Sequence, residues 1–471
     1  MKYLVSLLLW LITILKCTYQ TNFSIAIIGS GIGGTSCAYF LKEIFNDFVE
    51  VDIYEGNKIG GRLATVTMND GYEYETGGAV LHIRNKYMSD FVSDFGLKKR
   101  MELFNNQLLG IHNGINFDFV ENSSEMINVI KMLWQYGYKV KHLQNFVDNM
   151  LEKFEKIYQL QSNGKSFDTV NDLLSAMDPS FVHYLNVSVK EAFLKTESLP
   201  ETLIQDIVQA SLRVNYGQNT GVHEFVGSVS MAGMDGSLWA VKGGNKRVAE
   251  KLLEKSKARL IHENVTEIIN NNNSYTLLTN TEKNATYDYV VFAAPLSQNQ
   301  KIPINFTNLP VKLNIVGRYH QTVSTLIAGE LKRERFSPLS DNSASFTVIS
   351  TNESDFYNSI SNVEGVDETG KSNVWKIFSQ QPLSNNQIDE LFFSTKEVKV
   401  VNWLAYPHYE VPTKPRSFHI ANRLYHINAI EWAASAMEMS CIGAKNVALL
   451  IKKHLQNNTQ NETSQWSHKE L

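Results

Sequence analysis

The chain has 471 residues, of which 43% are hydrophobic and 20% are charged, and its formal net charge is -4 at pH 7. A globular protein of this length buries a large core and is expected to form two domains. This slightly negative net charge gives no indication of a basic surface and argues against a nucleic-acid partner. With only three cysteines, the sequence has no His and Cys cluster at metal-ligand spacing, so we expect no metal site.

The N-terminus has the pattern of a signal peptide. Lys2 precedes an apolar run from Tyr3 to Leu15, and Lys16 closes it. The run is shorter than the ~18 apolar residues of a membrane span and has the length of a signal-peptide core. We expect residues 1–20 to be a signal peptide, with an uncleaved anchor as the alternative. The mature chain would then reach the lysosome or be secreted.

Glycosylation motifs support this route, and we expect several of them to be used. The Asn-x-Ser/Thr motifs lie at Asn22, Asn122, Asn186, Asn264, Asn272, Asn284, Asn305, Asn352, Asn457 and Asn461. Removal of the leader takes Cys17 and leaves Cys37 and Cys441, each within an apolar helical pattern. We expect buried thiols there, and a disulfide between the two remains open in an oxidising lumen.

A glycine fingerprint follows the leader. The apolar run 24–28 predicts a buried strand, residues 35–45 have helical periodicity, and a second predicted strand ends at Glu55. The first glycine makes a tight turn, the second lets the backbone approach a pyrophosphate, and the third packs the helix on the strand. The terminal acid accepts hydrogen bonds from a ribose. The predicted dinucleotide contacts are therefore Gly29, Gly31, Gly33, Gly34 and Glu55.

Two further glycine pairs favour FAD over NAD as the dinucleotide. Gly60-Gly61-Arg62 follows the second strand, and Gly77-Gly78 comes after a short polar turn. This pattern resembles the flavoprotein amine-oxidase group. The resemblance implies that Gly61 and Arg62 lie beside the pyrophosphate, and that Gly77 and Gly78 let the backbone approach the flavin ring.

A helical block follows these loops. Apolar residues recur every three or four positions from Met126 to Ile157, and Gly137 is the interior position where we expect a bend. Helical patterns continue to about Arg213, and we expect the block to cover the flavin face. The Asn-rich segment 270–273 predicts a hairpin turn or a surface loop.

The remaining chain completes an α/β fold. We predict a Rossmann-like FAD-binding domain of the amine-oxidase (GR2) type and a discontinuous α+β substrate domain. The FAD-binding domain is assigned residues 23–80, 220–300 and 420–456, the substrate domain residues 81–219 and 301–419, and a flexible tail residues 457–471. Within the FAD-binding domain, Val265 begins a strand and Glu431 precedes a helix predicted over 433–454. Both residues are predicted cofactor contacts.

Five later segments make a family resemblance specific. They are Leu212–Gln218, Leu238–Val241 with Gly243–Lys246, Trp375–Gln380, Trp403–Tyr409 and Glu431–Ser440. With the glycine motifs, these segments resemble the prenylcysteine oxidase (prenylcysteine lyase) family over nearly the whole mature chain. Ala429 and Trp432 depart from that family, which commonly has glycine at the first position and a small residue or Cys at the second.

The resemblance implies an FAD-dependent thioether oxidase. Its substrate would be a farnesyl- or geranylgeranyl-cysteine, converted with O2 and water to a prenyl aldehyde, free cysteine and hydrogen peroxide. We expect the block from Met126 to Arg213 and the sheet near Trp375 to Tyr409 to enclose an apolar channel ending at the flavin. A peripheral membrane contact would suit such a substrate.

Three side chains are candidates for the substrate chemistry, and each also fits a purely structural role. His82 lies close to the second glycine pair, His408 can take a proton from the attacking water, and Arg213 can pair with the cysteine carboxylate. Two other functions remain open. One is a flavin amine oxidase, and the other is a flavin-bearing or lipid-binding secreted protein without turnover.

Overall fold

The computed structural model describes residues 22–101, 107–310, 312–343, 345–367 and 372–467. The predicted signal peptide lies outside these ranges. The α-helices are Ile32–Phe45, Lys86–Asp94, Glu125–Tyr136, Lys139–Phe154, Lys156–Ser162, Val170–Met177, Ser180–Tyr184, Val189–Glu191, Glu201–Leu203, Gln209–Tyr216, Glu224–Met231, Lys246–Ser256, Leu339–Asn342, Asn385–Leu391 and Met437–Ser467. Within the described ranges, no helix is both long and apolar enough to span a bilayer.

Shorter helical turns and the strands complete the fold. The 3-10 turns are Asn46–Phe48, Ala232–Asp235, Arg333–Phe336 and Ile427–Trp432, and the π-helical turns are Ala192–Thr196 and Ile204–Val208. The strands are Phe23–Ile28, Val49–Tyr54, Thr65–Thr67, Glu73–Glu75, Leu81–His82, Lys99–Arg100, Gln107–His112, Phe117–Val120, Leu238–Val241, Arg259–Ile261, Val265–Asn270, Tyr275–Thr279, Asn284–Tyr287, Tyr289–Phe292, Asn305–Thr307, Tyr319–Leu331, Ser345–Ser350, Ser359–Asn362, Val374–Ser379, Phe392–Pro407, His419–Ala421 and Leu424–His426.

The nucleotide sheet joins strands from three separate parts of the chain. Its strands run in the order 259–261, 49–54, 23–28, 289–292, 424–426 and 419–421. All neighbours are parallel except the last pair, which is antiparallel. The central parallel strands Phe23–Ile28 and Tyr289–Phe292 are buried on both faces, which explains their nearly continuous apolar sequences. The predicted Rossmann-like α/β class is confirmed.

A smaller sheet covers one face of the nucleotide sheet. Its strand order is 284–287, 275–279, 265–270 and 305–307, and Asn271–Ser274 make the turn of an antiparallel hairpin. The predicted turn at the Asn-rich segment is therefore confirmed. Because 305–307 pairs in parallel with 265–270, this sheet extends past the domain boundary predicted at residue 300.

The substrate sheet has the strand order 392–407, 319–331, 374–379, 359–362, 345–350, 107–112 and 117–120. Side chains alternate between its two faces. On one face Trp375 packs against Phe346 in an apolar cluster. On the other face Trp403 donates from Nε1 to the carbonyl oxygen of Thr76 at 2.8 Å. This second face therefore lies against the predicted flavin loop.

The helical block bends where the sequence predicts. The helix Glu125–Tyr136 ends at Gly137, which has a φ of 63°, and the next helix starts at Lys139. However, most apolar side chains of the first helix point outward, and Met126 is 71% exposed. The prediction that the channel wall begins at Met126 is therefore wrong, because the helix packs on the protein through its other side, which carries Met132, Tyr136 and polar residues.

The C-terminal unit also differs from its prediction. The strand Leu424–His426 leads into the 3-10 turn Ile427–Trp432, and the long helix begins at Met437 instead of residue 433. The backbone N–H of Ser435 donates to the Tyr409 hydroxyl, so this residue bonds outside the helix. No glycine or proline interrupts the sequence after residue 456, and the helix continues through the predicted tail to Ser467. Residues 468–471 lie outside the described ranges.

Both mature cysteines are buried free thiols, as expected from their apolar surroundings. Cys441 Sγ lies 3.4 Å from Ser36 Oγ and 3.8 Å from Met88 Sδ. Burial raises the pKa of the Cys37 thiol far above its ordinary value. Both thiols therefore act as small core groups.

Candidate cofactor and substrate site

The glycine loop follows the central strand of the nucleotide sheet, and packing requires glycine at several of its positions. Gly29 has a φ of 107°, and a Cβ there would lie 2.9 Å from the Ala293 carbonyl oxygen. A Cβ on Gly34 would lie 2.0 Å from the Gly29 carbonyl oxygen, and one on Gly33 would press against Ile427 at 3.3 Å. These glycines hold the first helix directly against the sheet.

Gly31 differs from its neighbours because the protein leaves space beside it. A Cβ there would meet nothing closer than the Gly60 carbonyl oxygen at 3.8 Å and the Gly61 Cα at 4.0 Å. Its φ of -66° is also ordinary for any residue. Packing therefore does not require glycine at this N-cap position. A phosphate bound at the helix N-terminus would require glycine at this position, because it must approach the backbone closely. The loop therefore fits the pyrophosphate of a dinucleotide.

Glu55 and Val265 lie at the predicted adenosine end. The Glu55 carboxylate accepts hydrogen bonds from Ser30 N at 3.0 Å, Ser30 Oγ at 2.8 Å and Asn57 N at 2.8 Å. The side chain of Asn264, which precedes Val265, packs against Gly56. The acid and the start of the Val265 strand are therefore neighbours at the carboxyl end of the parallel sheet.

Arg62 forms a buried ion pair with Glu431. The guanidinium donates to the two carboxylate oxygens at 2.5 and 3.0 Å and to the Ala405 carbonyl oxygen at 2.5 Å. Glu431 is fully buried and also accepts from the Tyr319 hydroxyl at 2.9 Å. Burial alone would raise the pKa of this carboxyl, but the Arg62 charge and the hydrogen bonds hold it below its ordinary value.

This ion pair clarifies two predicted cofactor contacts. Glu431 has its oxygens bonded within the protein, so the structure gives it a clear role in positioning Arg62. The Arg62 side chain keeps 28% of its surface exposed beside Gly61, which has a φ of 57°. Direct contact of either charged group with the dinucleotide stays a prediction.

Gly77 and Gly78 cross directly over the Arg62 backbone. A Cβ on Gly77 would lie 1.9 Å from the Arg62 carbonyl oxygen, which accepts a hydrogen bond from Gly78 N at 3.1 Å. Asn245 Nδ2 donates to the Gly78 carbonyl oxygen at 2.8 Å. This crossing explains the second glycine pair and fixes the loop beneath the substrate sheet.

A buried lysine lies behind this loop. Lys376 is 9% exposed, and its Nζ donates to the Glu75 carbonyl oxygen at 3.4 Å. Burial lowers the pKa of Lys376 to about 8 and raises the pKa of Glu75 to about 7. Sequence analysis assigned no role to this lysine. The sequence feature that could have indicated a buried lysine is its position as the single basic residue in the otherwise apolar run 374–378.

Two stacked histidines lie where the long strands of the substrate sheet end. The His320 and His408 rings are 5.9 Å apart and nearly parallel, and Tyr406 flanks His320 at 6.3 Å. Among the described residues, His320 Nε2 and His408 Nδ1 are buried without a hydrogen-bond partner. Burial, assisted by the positive charges of Arg318 and Arg213, lowers the pKa of His320 to about 4.

Tyrosines connect this histidine pair to the ion pair. Tyr216, at the end of a helix of the helical block, packs edge-on against Tyr406 at 5.2 Å and Tyr409 at 5.5 Å. The Tyr409 hydroxyl donates to the Glu431 carbonyl oxygen at 3.1 Å. The helical block, the substrate sheet and the C-terminal turn therefore meet at one aromatic cluster.

The structure brings two of the three predicted catalytic residues together. His408 stacks on His320, and Arg213 is close enough to lower the pKa of His320, although its guanidinium donates to the Ser350 and Asn352 carbonyl oxygens. His82 lies in a different environment. Its carbonyl oxygen accepts from Trp239 Nε1 at 3.1 Å, and its Nδ1 accepts from its neighbour Arg84.

Sequence analysis missed His320 and gave no role to Tyr216 and Tyr406. His320 occurs near the start of a long strand, where nothing in the local pattern separates it from other strand residues. Only the strand pairing places it opposite Tyr406 and beside His408.

Comparison with known proteins identifies the family. A model described as an NAD(P)-binding Rossmann-like domain matches residues 27–95, and the prenylcysteine lyase model matches residues 119–464. The chain belongs to the prenylcysteine lyase family. It is 41% identical to human prenylcysteine oxidase 1, with 90% of this chain and 88% of that protein covered. It is 35% identical to human prenylcysteine oxidase 1-like, with 90% and 89% covered.

Solved structures agree on the fold. A double mutant of putrescine oxidase superposes with a TM-score of 0.60 at 13% identity, covering 92% of this chain and 99% of that one. At this identity the likeness shows the fold alone. The Rossmann-like domain, the flavin-oxidase fold and the family membership together identify FAD as the cofactor.

One departure from the prenylcysteine lyase pattern has a local compensation. The Trp432 ring lies under the Arg416 guanidinium at 3.7 Å and edge-on to Tyr319 at 5.9 Å. A Cβ on Gly317 would lie 2.1 Å from the Trp432 ring. The large side chain therefore fits because glycine faces it.

Gly31 and Gly34 should respond differently to alanine. Gly34→Ala should destabilise the protein by about 1–3 kcal/mol, because the new methyl overlaps the Gly29 carbonyl. Gly31→Ala should leave the melting temperature of the apoprotein unchanged but reduce bound FAD, because the methyl occupies space beside the backbone at the helix N-terminus. Thermal unfolding and flavin absorbance per protein measure the two effects. Full FAD retention by a folded Gly31→Ala variant would contradict the assignment.

Proposed function

We propose that this protein is an FAD-dependent oxidase that cleaves the thioether bond of prenylcysteines. The observation that carries the proposal is the 41% identity to a prenylcysteine oxidase across 90% of the chain. That stretch includes the segments 212–218 and 403–409, which build the aromatic cluster beside the histidine pair. The substrate class is farnesyl- or geranylgeranyl-cysteine.

The proposed reaction balances with O2 and water as co-reactants. The C1–H bond of the prenyl group breaks as hydride, an oxygen from water bonds to C1, and the C1–S bond then breaks. The products are the prenyl aldehyde, cysteine and hydrogen peroxide. Bound FAD supplies the two-electron acceptor for the hydride and passes the electrons to O2.

The histidine pair is the proposed base for the attacking water. His320 Nε2 and His408 Nδ1 are buried without a hydrogen-bond partner among the described residues, as is His426 Nε2, but His426 does not belong to the stacked pair. A neutral imidazole accepts a proton at such a nitrogen. The adjacent stacked ring disfavours a second positive charge, so the pair is suited to hold a single proton.

A lowered pKa keeps this base active in an acidic compartment. With an ordinary pKa of 6.5, a histidine would be mostly protonated at lysosomal acidity. His320, with a pKa of about 4, stays neutral there. Tyr216, which is buried, packs on Tyr406, which flanks the pair.

A parallel peroxide assay tests the activity against both alternatives. Purified protein is supplied with farnesylcysteine, spermine or no substrate, and hydrogen peroxide release is measured. We expect peroxide with farnesylcysteine alone. Release with spermine alone would favour a flavin amine oxidase. Flavin that stays oxidised with every substrate would favour a flavin-bearing or lipid-binding protein without turnover.

The pH profile tests the histidine pair. Because the base must be neutral and the pKa of His320 is about 4, kcat/KM should stay flat from about pH 8 to about pH 5 and fall near pH 4. His320→Gln should lower kcat about a hundredfold or more with little change in flavin content. His419→Gln, which removes a partly exposed histidine paired with Asp168, is the matched control. An acid limb near the ordinary histidine pKa would contradict this assignment.

We also propose that the mature protein is lumenal, in the lysosome or secreted, and that it contacts membranes peripherally to receive its substrate. Exposed sequon residues support the first part, since Asn272, Asn284 and Asn305 are open to solvent. Two other sequon asparagines have side chains that contact the protein itself. Asn352 donates from Nδ2 to Asp355 Oδ1 at 3.0 Å, and the Asn264 side chain packs on Gly56.

Glycopeptide mass spectrometry of protein from its secretory pathway tests this localisation. Glycans should occupy Asn272, Asn284 and Asn305, because their side chains reach solvent, and should be absent from Asn264 and Asn352. The N-terminus should lie beyond the leader. An intact segment from Met1 to Lys16 together with unmodified sequons would refute the proposal.

A further inference from the structure

The helix Glu125–Tyr136 carries its apolar face toward solvent. Trp134 is 88% exposed, and the other large apolar residues of this face are between 40% and 71% exposed. They are Met126, Ile127, Val129, Ile130 and Leu133. On a helical projection with 3.6 residues per turn, these side chains form one continuous stripe. A surface helix of a globular protein normally buries such a stripe.

Hydrogen bonds from the opposite face fix this orientation. Lys131 Nζ donates to the Val120 carbonyl oxygen at 2.9 Å, and Gln135 Nε2 donates to the Asp118 carbonyl oxygen at 3.0 Å. Asn128 Nδ2 donates to the Asn122 carbonyl oxygen at 2.8 Å. The polar side of the helix is therefore held to the protein, and its apolar side is exposed and available to contact another apolar surface.

The surroundings of the stripe have the chemistry of a membrane interface. Tyr138, 87% exposed, follows Trp134 beyond the end of the helix, and both are residue types enriched where hydrocarbon meets headgroups. Beyond the end of the stripe, residues 137–142 contain Lys139 and Lys141 and no acid, whereas the whole chain has a net charge of -4. This local positive excess complements anionic headgroups.

We propose that residues 125–138 are a membrane-docking helix that lies in the interface of a bilayer containing anionic lipids. A bilayer fits better than a second copy of the chain. A bilayer accounts for both features of this surface, because its hydrocarbon region covers the apolar stripe and its anionic headgroups pair with Lys139 and Lys141 beyond the end of the stripe.

The docking helix connects to the histidine–tyrosine cluster. The Tyr136 hydroxyl donates to Asp206 Oδ2 at 2.9 Å. From Asp206 the helical segment continues to Tyr216, which packs on Tyr406. Ten residues of helix correspond to about 15 Å at ~1.5 Å per residue. The assignment of this surface as the entry for prenyl substrates rests on the proposed function, whereas docking itself does not.

Vesicle co-sedimentation of the full mature protein tests the docking. The probes are vesicles of phosphatidylcholine alone and of phosphatidylcholine with phosphatidylserine. The unchanged protein should bind the anionic vesicles, more weakly at high salt. The double variant Ile130→Gln/Trp134→Gln should bind at least tenfold less, at an unchanged melting temperature. Phe393→Gln is the matched control, because Phe393 is 59% exposed on the strand at the opposite edge of the substrate sheet.

Turnover of farnesylcysteine in vesicle-free detergent solution separates the two proposals. The double variant should retain the activity of the unchanged protein there, because no altered residue belongs to the histidine–tyrosine cluster. Equal vesicle binding by the double variant and the unchanged protein would overturn the docking helix. So would a concentration-dependent dimer, seen by sedimentation velocity, that the double substitution abolishes without any vesicle binding. Vesicle binding without peroxide release would instead count against the proposed function.

Discussion

The Arg62–Glu431 ion pair is the contact on which the arrangement of the site depends. Glu431 is fully buried, so its charge requires the bidentate guanidinium and the Tyr319 hydroxyl that surround it. Arg62 in turn bonds the Ala405 carbonyl oxygen of the substrate sheet. One charge pair thus connects a loop of the FAD-binding domain, the C-terminal turn and the substrate sheet, and loss of either partner would leave an uncompensated charge in the interior.

Around this pair, the site separates two kinds of surface. Gly31 leaves its backbone accessible at the end of the nucleotide sheet, where a dinucleotide is to be bound. The histidine–tyrosine cluster is largely aromatic, and burial there lowers the pKa of His320 to about 4. Burial also brings the pKa values of Lys376 and Glu75 towards each other. Each of these two groups close to the predicted flavin loop is therefore less readily charged than it would be in water.

The sequence was sufficient for the nucleotide half because its glycine spacing is a signature of the strand–loop–helix turn. Gly34 is required by a contact within that unit, whereas Gly29 and Gly33 face Ala293 and Ile427 from distant parts of the chain. The substrate half was less predictable. His320 joins the site only because its strand pairs with a strand almost ninety residues later in the chain, which places it opposite Tyr406. The periodicity of residues 125–136 correctly predicted a helix, but its apolar face is exposed where a buried face was expected.

By itself, the sequence determined the α/β class, the FAD loop, the burial of the cysteines and the family. Each follows from spacing, composition or motifs that persist wherever the segment lies in space. The tertiary structure decided which groups meet: Arg62 with Glu431, His320 with His408, and the polar side of the docking helix with the protein body. These outcomes depend on burial and on contacts between distant segments, because the energy of a charge, an imidazole or an apolar stripe is set by what surrounds it.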